Sequence, residues 1–291
     1  MTRSHTHLLL SAGVLAMFAG TSQAVSIVDD NFAVDGTVTT DADYFGSSTS
    51  GAIEFNANSI GLVSGTSGRQ IHALFDTVSL NAGDTLTASV DFTTPDSVSS
   101  GNDDFKFGVF DNLGRTSASE LGQNTSYSSS SPNTDYNGLF GYFAEIDVES
   151  SDSTSDLDIR ESNPSTTGRL LSTNSGFTSL GSGPDVGYAI TANTDYTVTL
   201  SFTRTLADEL EITLDFLGNS LTRVDDSPQS FDFGMLGFGS SSNAFGTSNS
   251  AGDPDNGIDI TNVTVDYTPV PEPGTLALGL LGGLTILARR R

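Results

Sequence analysis

The sequence has no cysteine and no tryptophan, and only three histidines and eleven lysine or arginine residues in 291 positions. Without cysteine there is no disulfide framework, no thiolate metal site and no thiol nucleophile. His5 and His7 stand at the extreme N-terminus, which leaves His72 as the one histidine of the interior. A single imidazole makes neither a zinc site nor a Ser-His-Asp triad, and among Ile71, Ala73, Leu74 and Phe75 it reads as a packed strand residue. The few bases stand against 36 acids, a formal charge of -25. A polyanion of this size cannot hold nucleic acid or an anionic lipid surface by charge, because the Coulomb energy has the wrong sign. Phosphate loops, dinucleotide fingerprints and the Gly-x-Ser-x-Gly elbow are missing as well.

What is present is 18 phenylalanines, 31 glycines and an excess of Ser, Thr and Asp. The hydrophobic share, 36%, still permits a core, because Phe, Leu, Ile and Val recur in regular patterns. The two ends read as addresses. Arg3, His5 and His7 precede an apolar run from Leu8 to Gly20, followed by Thr21-Ser22-Gln23-Ala24. A basic start, an apolar stretch and closing small residues describe a secretory signal peptide over residues 1–24, cleaved after Ala24. At the other end Val270-Pro271-Glu272-Pro273-Gly274 leads into an apolar segment and then Arg289, Arg290 and Arg291. The prolines interrupt regular structure, the apolar run predicts a transmembrane helix over 275–288, and the arginines form a basic tail that stays cytoplasmic. That run is short against the ~20 residues of a stable span, which suits a temporary hold on the inner membrane better than a permanent anchor.

Residues 270–291 resemble a PEP-CTERM sorting signal of Gram-negative bacteria, with Pro271, Glu272 and Pro273 as the sorting motif. The resemblance implies an exosortase as processing partner, cleavage near that motif, and delivery to the cell surface or an exopolysaccharide matrix.

Between the ends, residues 25–269 form one predicted β-sandwich domain. It keeps seven basic residues, Arg69, Lys106, Arg115, Arg160, Arg169, Arg204 and Arg223, against 35 acids, a charge near -28. Tyr196, Val198, Leu200 and Phe202 alternate with hydroxyl residues, the period-two pattern of a strand with one buried face. Leu210 to Phe216, Leu86 to Phe92 and Phe105 to Val109 repeat it, and further strands are predicted at 52–55, 71–78, 139–148, 231–239 and 258–267. In the last of these Ile258 and Ile260 fall on the opposite face from Val263, Val265 and Tyr267, so a bulge near Asn262 is needed to give one face. Gly218-Asn219 is the predicted two-residue turn after Phe216. The Ser-, Asn- and Asp-rich stretches 117–134, 150–156 and 240–257 are predicted to be exposed loops. About a dozen strands without a helical period describe an all-β, antiparallel sandwich.

The order of these strands resembles the concanavalin A-like lectin/glucanase jelly roll, which includes laminin G-like domains. The carrying segments are Asp195 to Arg204, Leu210 to Phe216 with its turn, and Phe231 to Gly239. The closing strand Ile260 to Val265 is expected to pair with an opening strand around Ile27 to Phe32.

Two groups of residues carry chemistry. On a strand, Glu145, Asp147 and Glu149 share one face while Ala144, Ile146 and Val148 share the other. The trio is similar to the Glu-x-Asp-x-Glu signature of lichenase-type retaining β-glucanases. That resemblance implies Glu145 as nucleophile, Asp147 tuning it and Glu149 as general acid/base. The lack of tryptophan, on which glucan clefts stack sugars, and the acidic loop that follows weigh against catalysis. The second group, Asp253, Asp255, Asn256 and Asp259, concentrates oxygen ligands of the kind calcium takes, and Asp152, Asp156 and Asp158 form another such cluster. Jelly rolls of this class often carry calcium. Three functions follow as expectations: a non-catalytic, surface-displayed module that binds or organises extracellular polysaccharide, a β-glucanase, or a passive coat protein without ligand.

Overall fold

Alternation of apolar with hydroxyl-bearing residues gives the central strands one face that must be buried and one that tolerates water, and two such sheets close on each other. The computed structural model describes residues 22–270 apart from 33–39, 47–52, 57, 64–68, 99–102, 122–135, 151–155, 163–169, 172–175, 184–186, 242–243 and 246–256. In chain order the strands are β1 (Val25–Asn31), β2 (Asp43–Gly46), β3 (Ile53–Phe55), β4 (Ile60–Val63) and β5 (Arg69–Ser79). They continue with β6 (Thr85–Thr93), β7 (Asp103–Phe110), β8 (Gly141–Val148), β9 (Leu157–Ser162) and β10 (Phe177–Ser182). The last five are β11 (Asp195–Arg204), β12 (Leu210–Phe216), β13 (Asn219–Asp225), β14 (Asp232–Ser240) and β15 (Gly257–Thr268). A 3₁₀ turn stands at Ala118–Leu121, and among the described residues no helix is long and apolar enough to cross a membrane.

The strands form two antiparallel sheets. The eight-stranded sheet runs β13-β12-β11-β6-β15-β4-β3, with β1 beside β15, and the seven-stranded sheet runs β10-β9-β8-β7-β14-β5-β2. The expected closure is present: β1 pairs with β15 from Val25 opposite Tyr267 to Asn31 opposite Asn262. The bulge is also where the parity requires it. Ile260 faces Phe92 and Asn262 faces Asp91, so Thr261 is the extra residue, and Ile258, Ile260, Val263 and Val265 all enter the core.

The main core lies between the sheets. Phe92 meets Phe105 with ring centroids 4.8 Å apart, and Phe202 meets Phe233 at 5.2 Å and Tyr142 at 6.0 Å. A second, smaller core covers part of the other face of the seven-stranded sheet, where Phe45, Leu74, Phe110, Phe143 and Met235 receive Leu121, Tyr136, Leu139, Leu170 and Leu171 from the connections. That layer has no counterpart in the sequence reading, and the two cores together correct one expectation. Leu121 of the 117–134 stretch and Ala244 and Phe245 of the 240–257 stretch are buried, because these polar connections each carry apolar residues down onto a sheet.

Two local corrections follow. The hairpin joining β12 to β13 turns on Leu217 and Gly218 (φ 49° and 77°), not Gly218-Asn219, and Asn219 already pairs with Phe216. Two central residues at positive φ are the geometry that matches the twist of the flanking strands. Asp158, grouped with Asp152 and Asp156 as a cluster of oxygen ligands, lies inside β9 opposite Glu145.

Candidate functional site

The covered apolar patch occupies one end of the outer face of the seven-stranded sheet, and a charged patch occupies the other. Register builds it. Ala144, Ile146 and Val148 of β8 point into the main core, so Glu145 and Asp147 point away from it, as the alternation requires. Lys106 of β7 lies opposite Glu145 on one side, and Asp158 of β9 lies opposite it on the other. Asp104 lies opposite Asp147. Glu149, third of the sequence trio, falls one residue beyond the end of β8, where its carbonyl accepts from the Ile190 amide at 2.8 Å and the residue is buried.

Glu145 is held from both sides. Its Oε1 is 3.5 Å from Lys106 Nζ, and its Oε2 accepts from Arg160 Nε. Arg160 also donates to Asp158 Oδ2 at 2.9 Å, and its guanidinium stacks 4.7 Å from the Phe177 ring centroid. Lys106 reaches Asp104 Oδ2 at 3.4 Å, and Ser241 Oγ donates to the same oxygen at 2.9 Å. Asp147 Oδ2 accepts from the Asp156 amide at 3.2 Å. Two cations thus serve a larger set of carboxylates: burial, with Asp104 adding repulsion, pushes Glu145 up to about 7 despite Lys106 and Arg160. Burial together with the charges of Asp156 and Asp104 pushes Asp147 up to about 8. Near neutral pH these two groups can carry or give up a proton; Glu145, Lys106 and Asp158 are buried, and the cluster meets its surroundings through the half-buried Asp104, Asp147 and Arg160.

The remaining sequence-predicted residues fall as follows. Asp259 lies on β15, and its Oδ1 accepts from Asn56 Nδ2 (2.9 Å) and Ser59 Oγ (2.8 Å). Asp253, Asp255 and Asn256 lie outside the described residues, as do Asp152, the motif Pro271, Glu272, Pro273, the segment 275–288 and Arg289, Arg290 and Arg291. Among the described residues no three Asp, Glu or His side chains converge as metal ligands. His72 is fully buried between Phe45 (5.5 Å) and Tyr136 (5.2 Å), and burial pushes it down to about 3, so it stays neutral. A shallow cleft lined by Phe140, Tyr142, Glu161, Ser230 and Phe233 has no internal space for even a water molecule, so it is not a ligand pocket.

Sequence reasoning missed Asp104, Lys106 and Arg160. The alternation of Asp104 and Lys106 with Phe105 and Phe107 signals a charged strand face, but nothing in one sequence says which strand lies beside it.

No protein-family model matches the chain, and no curated protein does. Among solved structures, the carbohydrate recognition domain of Emp47p is 11% identical, with 84% of this chain and 96% of that one covered at a TM-score of 0.50. Peanut lectin is 14% identical over 86% of this chain and all of that one, TM-score 0.46. The exoplasmic/lumenal domain of VIP36 is 12% identical over 81% and 88%, TM-score 0.44. At such identities the likeness speaks for architecture alone, and the architecture is the lectin jelly roll.

Proposed function

We propose that the chain is an exported, exosortase-sorted protein of the cell surface or extracellular matrix that binds polysaccharide without cutting it, through the charged patch on the seven-stranded sheet. One observation carries the reading: Glu145, Asp158, Arg160 and Lys106 form an interlocked set of carboxylates and cations on the outer face of a lectin-type sheet. Side chains fixed by one another lose little entropy on engaging a ligand, and planar carboxylate and guanidinium groups match the paired hydroxyls of sugars. The Emp47p domain carries carbohydrate recognition in its name, which agrees with the reading as an analogy of fold. Calcium is proposed only for the segment 253–259, where Asp259 retains one carboxylate oxygen that accepts no described hydrogen bond.

A second reading, β-glucan hydrolysis by Glu145, Asp147 and Glu149, is favoured by Glu145 and Asp147 sharing the outer face of β8, with the Asp147 carboxyl raised enough to hold a proton beside Glu145; a nucleophile must be ionised, so the raised Glu145 carboxyl counts against it. The test is retention of the protein on the producing organism's exopolysaccharide, with calcium and with chelator, alongside turnover on mixed-linkage glucan. We expect saturable retention that Arg160→Gln weakens about tenfold, the worth of one charge-assisted hydrogen bond. Turnover that Glu145→Gln abolishes would replace binding by hydrolysis. Absence of both retention and turnover would leave a passive coat protein.

A further inference from the structure

The closing strand β15 does not end freely. Past Thr268, the amide of Val270 donates to Asp84 Oδ1 at 2.7 Å, and Tyr267 Oη donates to Asp84 Oδ2 at 2.6 Å. The same Oδ2 accepts from Asn81 N (2.8 Å) and Asn81 Nδ2 (3.1 Å). Asp84 is itself fixed. It closes the turn between β5 and β6, its amide donating to the Asn81 carbonyl at 2.9 Å, and its carbonyl accepts from Arg204 N at 3.1 Å. Gly83 stands at φ +93°, and a Cβ there would lie 3.1 Å from Val270 Cγ2, so the turn leaves room for the valine. Asp84 is 2% exposed. Burial alone would raise its carboxyl, yet the hydrogen bonds from Tyr267, Val270 and Asn81 hold it below the ordinary aspartate value.

We propose that Asp84 is a clasp that sets where the C-terminal segment can be trimmed away. This rests on the reading of 270–291 as a removable tail. A protease must draw the chain through its cleft in extended form, which a strand end bonded to a buried carboxylate resists. Hydrolysis consumes one water and leaves a carboxylate on the domain and an amine on the tail. Val270 is the last clasped residue, and Pro271 follows it directly, so trimming stops at the sorting motif and does not enter the central strand of the eight-stranded sheet.

The experiment is limited digestion of the full chain in detergent with a broad-specificity protease, with the C-terminal end point read by intact mass. The wild type is expected to stop at Val270 or beyond. Asp84→Asn keeps the size of the side chain and turns a donor toward Tyr267 and Asn81; its end point is expected to move in to Thr268 or further. Tyr267→Phe, which removes one donor and leaves the packing, is expected to shift the end point in the same sense. Wild-type trimming to Tyr267 or beyond it into β15, or an unchanged end point in both variants, would overturn the clasp. The mass of the protein recovered from its producing organism tests the tail separately: an uncut tail there sinks the sorting reading and leaves the clasp untouched.

Discussion

At Gly108 two layers of the molecule meet with no room between them. A Cβ built there would stand 2.7 Å from Phe143 Cβ and 2.8 Å from both Phe110 Cζ and the Tyr142 carbonyl. Gly237 is similar, with Phe110 Cε2 at 2.9 Å and Leu171 Cδ1 at 3.3 Å. The two lie opposite each other in neighbouring strands, β7 and β14, and make a flat floor on which the second core rests. Gly108→Ala is therefore expected to lower stability by about 1–3 kcal/mol, the usual cost of overpacking, measured by urea denaturation. An unchanged midpoint would show that the second core yields to the added methyl. Nothing in the sequence marked these glycines, since glycine in a strand pattern reads equally as a bulge or a weak point. His72 was legible, because its four apolar neighbours leave a buried strand as the simplest reading.

The strands with strict alternation were legible at the level of the element, and the short or charged ones were not. β6, β11 and β12 each show one apolar and one polar face, and their bounds lie close to the prediction. β2 and β4 span four residues each, too few for a period to show, and β9 holds Asp158, Arg160 and Glu161 in six. The excess of Thr and Ser has a place in the strands as well as in loops. On the outer face of the eight-stranded sheet Thr85 bonds Thr203 (2.9 Å), Ser89 bonds Thr199 (3.0 Å) and Thr213 bonds Thr222 (2.9 Å), the cross-strand pairs that suit a solvated sheet. Candidate chemistry was harder to read, because the partners of Glu145 come from two other strands and register is a tertiary property. The bulge shows how strongly parity can speak. Deleting Thr261 must turn either Ile258 and Ile260 or Val263 and Val265 off the core, at about 1.5–3 kcal/mol for each side chain exposed. The deletion is expected to abolish cooperative unfolding followed by circular dichroism; a folded deletion variant would mean that the extra residue is taken up elsewhere.

Over the whole molecule, charge and burial act in the same direction. Glu145 and Glu161 are pushed up to about 7 and Asp147 to about 8, in each case by burial first and by nearby carboxylates second; Asp225 is the neighbour for Glu161. The folded state thus holds protons that the unfolded chain releases near pH 4. The stability this contributes is complete below the unfolded values and is lost as pH rises through 7 to 8. Acidification also relieves the self-repulsion of a strongly negative chain. His72 opposes this below about 6.5, where the unfolded imidazole takes a proton that the buried one refuses. The melting temperature at constant ionic strength is expected to be higher at pH 5.5 than at pH 8, and Asp147→Asn is expected to flatten the difference. A melting temperature that rises toward pH 8 would mean that these carboxyls are ionised in the folded protein.

The strand that closes the sandwich has a bearing on timing. β15 is the last of the described strands to be made, yet it lies inside the eight-stranded sheet, with β6 along one edge and β4 and β1 sharing the other. Until residues 257–268 have left the ribosome, β1 has no neighbour and β6 lacks one of its two, so the N-terminal half cannot complete its sheet. A chain cut before residue 257 lacks the strand on which β1, β4 and β6 all pair, so its eight-stranded sheet stays open however much of the rest has formed.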